Sequence, residues 1–281
     1  MIISVASGKG GTGKTTVAVN LALSLDKNIQ FLDCDVEEPN SHIFLKPEIL
    51  KTYPASIPIP KVNEEKCTYC GRCKEVCAYN AIAVFPSTVL VFPELCHSCG
   101  GCVLLCPQKA IEEVNKEIGI IKIGKSDTIE FVNGELNVRE AMSTPLIRQV
   151  KKYINTSKTV IIDAPPGTSC PVIESIKGSD YCILVTEPTP FGLNDLILTV
   201  EVVRKLKIPF GVIINRADLG NNETEEYCKK ENIPILMKIP FSKDIAMVYS
   251  KGEPIVQAFP EYKKDFINMF EKIVKKRRIV L

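Results

Sequence analysis

The sequence has almost no net charge, because its 35 lysines and arginines are nearly balanced by 33 aspartates and glutamates, which leaves +2. This balance excludes a strong overall field of the kind that attracts nucleic acids or anionic membranes, so we expect neither as a partner. No segment approaches the run of about 18 apolar residues that a membrane-spanning helix needs. The basic region and apolar run of a signal peptide are also missing after Met1. These absences predict a cytoplasmic protein without stable membrane insertion.

The composition is otherwise that of a soluble globular protein, with 45% hydrophobic and 24% charged residues. A length of 281 residues suggests about two domains. The unusual feature is the presence of 12 cysteines, eight of which fall between residues 67 and 106. In a reducing compartment such clustered cysteines hold metal more often than they form disulfides.

Short β-branched runs alternate with segments of helical periodicity along most of the chain. Strands are predicted at residues 2–7, 29–33, 159–163, 181–186, 210–215 and 235–239, and helices at 15–25, 192–206, 223–232 and 262–276. The strands show little polar alternation, which is typical of strands buried on both faces. The sequence therefore predicts an α/β fold with a mostly parallel sheet, helices on both faces and site chemistry at the carboxyl ends of the strands.

The alternation stops near Lys51, where a proline-bearing stretch (Pro54, Pro58 and Pro60) leads into the cysteines. We interpret this stretch as a domain border. Residues 118–138 favour strands again, with Asn133-Gly134 as a candidate type I′ turn, and a helix is expected at 144–153. The sequence predicts a discontinuous α/β domain, residues 1–60 and 114–281, interrupted by a small α+β insert at 61–113.

A glycine-rich loop follows the first strand and precedes the first helix. Its residues from Gly8 to Thr15 fit the pattern G-x4-G-K-[ST], whose backbone N–H groups and helix amino end hold phosphates. Lys14 would reach the β- and γ-phosphates and Thr15 would reach Mg²⁺. The alternative is a turn that only joins strand to helix. The residues expected to contact nucleotide here are Gly8, Lys9, Gly10, Gly11, Thr12, Gly13, Lys14, Thr15 and Thr16.

The second lysine of the loop, Lys9, makes it resemble the deviant Walker A motif of the MinD/ParA group, which also includes the nitrogenase iron protein and iron-sulfur carrier ATPases. The resemblance implies a P-loop NTPase that binds ATP and Mg²⁺, hydrolyses ATP and forms an ATP-dependent homodimer. It also implies that Lys9 reaches the nucleotide of the partner subunit. A solvated loop lysine is the alternative.

Three further segments match this group. Asp33-Cys34-Asp35 resembles switch I, in which Asp35 would activate the attacking water and Asp33 would support the metal, although two acids at a strand end can also cap the next helix. The segment from Asp163 to Gly167 resembles Walker B joined to switch II. Asn215-Arg216 matches the adenine-contacting position, with a simple turn as the alternative. The resemblance assigns catalysis to Lys9, Lys14 and Asp35, and the Mg²⁺ site to Thr15, Asp33 and Asp163.

The cysteines form two copies of C-x2-C-x2-C-x3-C at an offset of 29 residues. This spacing is typical of bacterial ferredoxins, in which the fourth cysteine of each run ligates the other cluster. It predicts one [4Fe-4S] cluster on Cys67, Cys70, Cys73 and Cys106, and a second on Cys96, Cys99, Cys102 and Cys77. Zinc sites more often use two well-separated C-x2-C pairs. One departure is Ala78, which stands where Pro107 follows the second run.

Two functions are compatible with these motifs. In the first, a nucleotide-driven dimer switch gates electron transfer from the two clusters to a redox partner. In the second, the protein is an assembly factor that inserts an iron-sulfur or other metal cofactor into an apo-protein client. A positioning role on DNA or a membrane surface fits the near-neutral charge poorly.

Overall fold

The computed structural model describes residues 1–25 and 27–280, with side chains described as far as residue 275. Asp26 and Leu281, which belong to the predicted ATPase domain, lie outside the described residues, as do the basic side chains of residues 276–278. The strands are β1 (Ile2–Ala6), β2 (Ile29–Asp33), β3 (Glu48–Val62), β4 (Ile82–Phe85), β5 (Thr88–Val91), β6 (Ile111–Ser126), β7 (Ile129–Leu136), β8 (Thr159–Asp163), β9 (Tyr181–Thr186), β10 (Phe210–Asn215) and β11 (Ile235–Ile239). The helices are α1 (Lys14–Ser24), α2 (Ser41–Leu45), α3 (Arg72–Val76), α4 (Gly101–Leu104), α5 (Thr144–Lys151), α6 (Cys170–Ile176), α7 (Pro190–Lys205), α8 (Glu223–Lys230), α9 (Lys243–Ser250), α10 (Ile255–Ala258) and α11 (Pro260–Val280).

The described part of the chain forms one nine-stranded sheet in the order β11-β10-β9-β1-β8-β2-β7-β6-β3. All neighbours from β11 to β7 are parallel. Strands β4 and β5 pair separately as an antiparallel hairpin. The predicted α/β fold with a mostly parallel sheet is confirmed.

Helices cover both faces of the parallel strands, and β9 shows this directly. Ile183 and Val185 lie in an apolar cluster with α1 and α11, whereas Cys182 and Leu184 lie in a second cluster with α7 and α8. All four side chains are inaccessible to solvent or nearly so. Burial on both faces explains why the strands show no polar alternation.

The chain divides into two compact units. The first takes its described residues from 1–52, 121–135 and from 147 onward, and the second consists of 53–120 and 136–146. Segment 61–113 lies wholly within the second unit. Its assignment as an inserted ferredoxin domain stays a prediction.

The proline-bearing stretch is a strand, which the sequence does not predict. Pro54, Pro58 and Pro60 all lie in β3, the strand at one edge of the sheet. Proline lacks the N–H that a central strand needs, so within sheets it is confined to edges and bulges. The three prolines are separated by even numbers of residues, so their backbone nitrogens point to the same edge of the strand. The N–H groups of the alternate residues point to the other edge and stay available for pairing.

The predicted turn at Asn133-Gly134 is wrong. Both residues lie within β7, and Asn133 is buried and paired in parallel register with Asp33 of β2. The turn between β6 and β7 is instead at Asp127-Thr128, where Asp127 adopts a φ of 51°. Pairing with the buried β2 overrides the local turn preference of the Asn-Gly dipeptide.

The last helix packs on the core rather than standing apart. Phe266, Met269 and Ile273 of α11 are buried in the cluster that includes α1. Among the described residues no helix is both long enough and apolar enough to cross a membrane.

Candidate functional site

The glycine-rich loop joins β1 to α1, and its glycines serve different purposes. Gly11 and Gly13 have φ values of 79° and 94°, in the left-handed region that favours glycine. Gly8 is needed for close packing, since a Cβ there would lie 2.5 Å from the backbone oxygen of Asp195 in α7. Gly10 has neither constraint. The loop is therefore fixed by two left-handed residues and one close helix contact.

Lys14, the first residue of α1, lies beside Asp35, which follows β2. The Lys14 Nζ is 3.6 Å from Asp35 Oδ2, and both side chains are almost buried. Burial raises the pKa of Asp35 to about 6, although Lys14 pulls it in the opposite direction. Asp35 thus lies next to the phosphate-loop lysine, and its carboxyl group can exchange a proton near neutral pH.

Thr15, the second residue of α1, forms a second pair with Asp163, the last residue of β8. The Thr15 hydroxyl donates to Asp163 Oδ2 at 2.6 Å, and the other carboxylate oxygen, Oδ1, is buried without a hydrogen-bond partner. Burial raises the pKa of Asp163 to about 7. A hydroxyl beside an unsatisfied buried carboxylate oxygen is the hard oxygen donor set that Mg²⁺ prefers, so these residues fit that ion.

Asp33 is satisfied by protein groups on both oxygens. Its Oδ1 accepts from the backbone N–H of Asp35 at 3.1 Å, and its Oδ2 accepts from the backbone N–H of Ser41 at 3.2 Å and from the Ser41 hydroxyl. Burial raises its pKa to about 6. In this structure Asp33 therefore holds Ser41, the first residue of α2, as expected of an acid at a strand end that caps the next helix. Its role in supporting a metal stays a prediction.

Lys9 is held within its own chain by a residue that the sequence analysis missed. Its Nζ lies 3.8 Å from Glu187 Oε2, and the other oxygen of Glu187 pairs with Arg216 Nη1 at 2.7 Å. Glu187 directly follows β9, at the carboxyl end of a strand, and that position was the signal that could have identified it. The carboxylate links the glycine-rich loop to the end of β10.

Asn215, the last residue of β10, reaches the same loop. Its side-chain amide donates to the carbonyl oxygen of Thr12 at 2.9 Å. A Cβ on Gly13 would lie 2.6 Å from that amide nitrogen, so the contact requires glycine. The predicted adenine-contacting residue is therefore fixed directly against the predicted phosphate loop.

A cleft of about 420 Å³ opens beside these residues, within the usual size range of ligand pockets. Its lining includes Gly10, Gly11, Gly13, Lys14, Thr15, Thr16, Asp35, Asn215 and Arg216, but not Gly8, Lys9, Thr12, Asp33 or Asp163. The sequence analysis missed an apolar and aromatic wall of the cleft, formed by Phe241, Ile245 and Tyr249. The available signal was Ser242, whose side chain caps α9 and so fixes where that wall begins. The predicted phosphate-binding groups thus line the same cleft as an apolar and aromatic wall.

In the second unit the eight clustered cysteines line two separate cavities. One is lined by Cys67, Cys70, Cys73 and Cys106, and the other by Cys77, Cys96, Cys99 and Cys102. These are the two sets into which the sequence divides the cysteines, with the fourth member of each run exchanged. All the cysteines are unbridged. Apart from the cysteines, each cavity is lined largely by apolar side chains, and such a lining suits a buried iron-sulfur cluster.

The backbone follows the same repeat as the cysteines. Left-handed residues recur at the 29-residue offset as the pairs Tyr69 and Ser98, Gly71 and Gly100, and Asn80 and Lys109. The Sγ of Cys77 accepts from the N–H of Ala81 at 3.2 Å, and the Sγ of Cys106 accepts from Ala110 at 3.3 Å. Such donors stabilise a thiolate. Within the described residues no three His, Cys, Asp or Glu side chains come together as the ligands of one metal ion.

The parallel sheet, the glycine-rich loop between β1 and α1, and the acids at the strand ends define a P-loop nucleotide-binding protein. The chain belongs to the CobQ/CobB/MinD/ParA nucleotide binding domain family, whose model matches residues 3–255. It is thus a P-loop ATPase of the MinD/ParA family.

The sequence similarity to two relatives covers nearly the whole chain. An uncharacterized protein of Methanocaldococcus jannaschii is 32% identical over 285 residues, covering 97% of this chain and 96% of its own. An iron-sulfur cluster carrier protein of Pyrococcus horikoshii is 27% identical over 301 residues, covering 98% and 85%. Among solved structures, the septum site-determining protein MinD of Pyrococcus horikoshii, complexed with Mg-ADP, has a TM-score of 0.59 at 21% identity and covers 97% of this chain and 95% of that one. This last similarity concerns the fold.

Proposed function

We propose that the protein couples ATP binding and hydrolysis in its first unit to two [4Fe-4S] clusters in its second unit, and that it delivers electrons to a redox partner. The observation that carries the proposal is the division of eight cysteines into two sets of four around two cavities. Four thiolates provide one protein ligand for each iron of a cubane. A fully ligated cluster is suited to stay in the protein and transfer electrons rather than to be given away.

The nucleotide half of the proposal uses the groups of the cleft. Lys14 neutralises charge on the β- and γ-phosphates, and Asp35, held beside it, orients the attacking water and accepts its proton. Thr15 and Asp163 would hold Mg²⁺, which supplies charge neutralisation at the phosphates. Asn215 and Arg216 would contact the base, with Phe241 and Tyr249 offering aromatic surface for it.

The proposed switch also involves a homodimer. Lys9 is about one-third exposed and its 3.8 Å contact with Glu187 is long for an ion pair, so it can leave Glu187 for the nucleotide of a second subunit. We expect Lys9→Ala to abolish the ATP-dependent dimer while nucleotide binding to the monomer persists. Light scattering after size-exclusion chromatography measures this, with Lys205→Ala, an exposed lysine on α7, as the control. A dimer that forms equally well in Lys9→Ala would contradict the role.

The main test is anaerobic purification with iron and sulfide counts, followed by EPR of the reduced protein with and without MgATP. We expect about eight iron atoms per chain. A coupling free energy of about 1–3 kcal/mol between the nucleotide site and the clusters corresponds to about 40–130 mV in a one-electron potential. Lys14→Ala should keep its iron but lose the response to ATP. An iron-free preparation refutes the proposal, and so does wild-type protein in which ATP changes neither the potentials nor the rate at which an acceptor is reduced.

A second candidate function, cluster assembly or delivery, is supported by relatives named iron-sulfur cluster carrier protein. It predicts that iron-55 moves from the holoprotein to an apo-ferredoxin and that ATP alters the transfer rate. Electron transfer predicts that the iron stays in place while the acceptor is reduced. The two measurements on one preparation separate the candidates.

A further inference from the structure

The two cysteine cavities are built alike, and one of the differences between their linings concerns a pair of repeat-equivalent positions. Each cavity takes three cysteines from one run and the fourth cysteine from the other run. It is also lined by the residue that follows the first of those three cysteines and by the residue two positions after the exchanged fourth cysteine. In the cavity of Cys67 these residues are Thr68 and Gln108, whereas in the cavity of Cys96 they are His97 and Tyr79. The members of each equivalent pair are separated by the 29-residue repeat.

Tyr79 and His97 form a stacked pair, with ring centroids 3.6 Å apart and ring planes inclined by 11°. Both line the cavity and both also have exposed surface, so the stack lies between the cavity and solvent. Thr68 and Gln108 are exposed at the matching places but provide no aromatic surface. At this pair of positions one cavity therefore has an exposed aromatic stack as a cover and the other has two polar side chains. The aromatic side chain that lines the second cavity, Tyr69, is partly buried and is not one of the two exposed positions.

The burial of the cysteines shows the same difference. Cys96 and Cys102, on the covered cavity, are each only 8% exposed. Their repeat equivalents, Cys67 and Cys73, are only partly buried. The covered cavity is thus the less accessible of the two by two separate observations.

Resting on the function proposed above, we infer that the two clusters are not equivalent. The Tyr79–His97 stack protects the cluster of Cys77, Cys96, Cys99 and Cys102. The cluster of Cys67, Cys70, Cys73 and Cys106 is the one that small reagents and solvent reach first, and it loses iron first. Because an aromatic pair contributes about 0.5–1.5 kcal/mol, opening the covered cavity should be about two- to tenfold slower.

The test follows iron release from the anaerobic holoprotein to the ferrous chelator bathophenanthroline. Wild-type protein should release its iron in two phases of equal size. Tyr79→Gln with His97→Thr copies the uncovered pair into the covered cavity and should merge both phases at the fast rate. Thr68→His with Gln108→Tyr copies the stack into the other cavity and should merge them at the slow rate.

Alkylation with iodoacetamide, stopped after the fast phase, assigns that phase to a cavity. Peptide mass spectrometry of wild-type protein should find Cys67, Cys70, Cys73 and Cys106 modified, and the other four protected. Labelling of the other four instead would overturn the inference, as would a single release phase from wild-type protein that holds about eight iron atoms. If the first double variant cannot be loaded with iron, the reciprocal variant alone decides, because unchanged kinetics there also overturn the inference. Each of these results leaves the proposed function standing, whereas a preparation without iron refutes the function itself.

Discussion

Replacing Asp163 by asparagine should make the nucleotide-free protein more stable at neutral pH, although it removes a residue of the proposed Mg²⁺ site. Asp163 is fully buried, one of its oxygens has no partner, and burial raises its pKa from 3.8 to about 7. The folded chain therefore binds this proton more tightly than the unfolded chain does. Its stabilising contribution is fully present below about pH 4 and is lost as the pH rises to about 7.

The size of the effect follows from that shift. A rise of about three pKa units at about 1.4 kcal/mol per unit corresponds to about 4 kcal/mol in the free energy of unfolding. Asparagine carries no titrating proton, and its carbonyl oxygen can still accept the hydrogen bond from Thr15. At pH 8 the variant should thus be more stable than the wild type by up to about 4 kcal/mol, and at pH 4 the gain should vanish.

Anaerobic urea denaturation without nucleotide or Mg²⁺, followed by circular dichroism at several pH values, measures the difference. Asp33 and Asp35, whose pKa values are also raised by burial, leave some pH dependence in both proteins. Asp127→Asn, in the exposed turn between β6 and β7, is the matched control. If Asp163→Asn parallels the wild type at every pH, the carboxyl is not destabilised by burial and the reasoning fails.

Three further outcomes follow from single contacts. Gly8→Ala should destabilise the protein by about 1–3 kcal/mol because its Cβ would meet the backbone of Asp195, whereas Gly10→Ala meets nothing; equal thermal midpoints for the two variants would contradict this. Asp33→Ala should lower the free energy of unfolding by about 2–3 kcal/mol and Ser41→Ala by less, since only the former leaves two buried N–H donors unpaired, and urea titration compares them. Glu113→Gln, in the cavity with the aromatic cover, should raise one cluster potential by about 20–40 mV in a redox titration because a nearby negative charge favours the oxidised cluster, while Glu112→Gln, which does not line that cavity, serves as the control.

The sequence predicted most of the sheet because parallel strands buried on both faces carry their signal locally. The ends of β2, β8, β9, β10 and β11 coincide with the predicted ranges. The same locality explains the failures. The strand β3 was missed because whether a proline-bearing segment can form a strand depends on where that strand lies in the sheet, and β3 lies at its edge. Asn133-Gly134 has the local preference of a turn, and only its pairing with β2 shows that it belongs to a strand.

The candidate site shows the same division. A phosphate loop is defined by consecutive residues, so its presence could be inferred from the motif alone. The position of Glu187 at a strand end is a local signal, but its contacts with Lys9 and Arg216 could not be inferred, because these residues are distant in sequence and meet only in the folded chain. The wall formed by Phe241 and Tyr249 likewise becomes part of a site only once α9 folds against the cleft.

The three aspartates at the strand ends show what the residue type leaves undetermined. Asp33 has protein donors on both oxygens, Asp35 has a lysine, and Asp163 has one hydroxyl donor and one orphan oxygen. A bound cation stabilises a buried carboxylate least where both oxygens already accept hydrogen bonds, and most where one buried oxygen has no donor. Magnesium and nucleotide should therefore remove the burial penalty at Asp163 in particular, and adding MgATP should reverse the stability order of the wild type and Asp163→Asn while leaving that of Asp33→Ala unchanged.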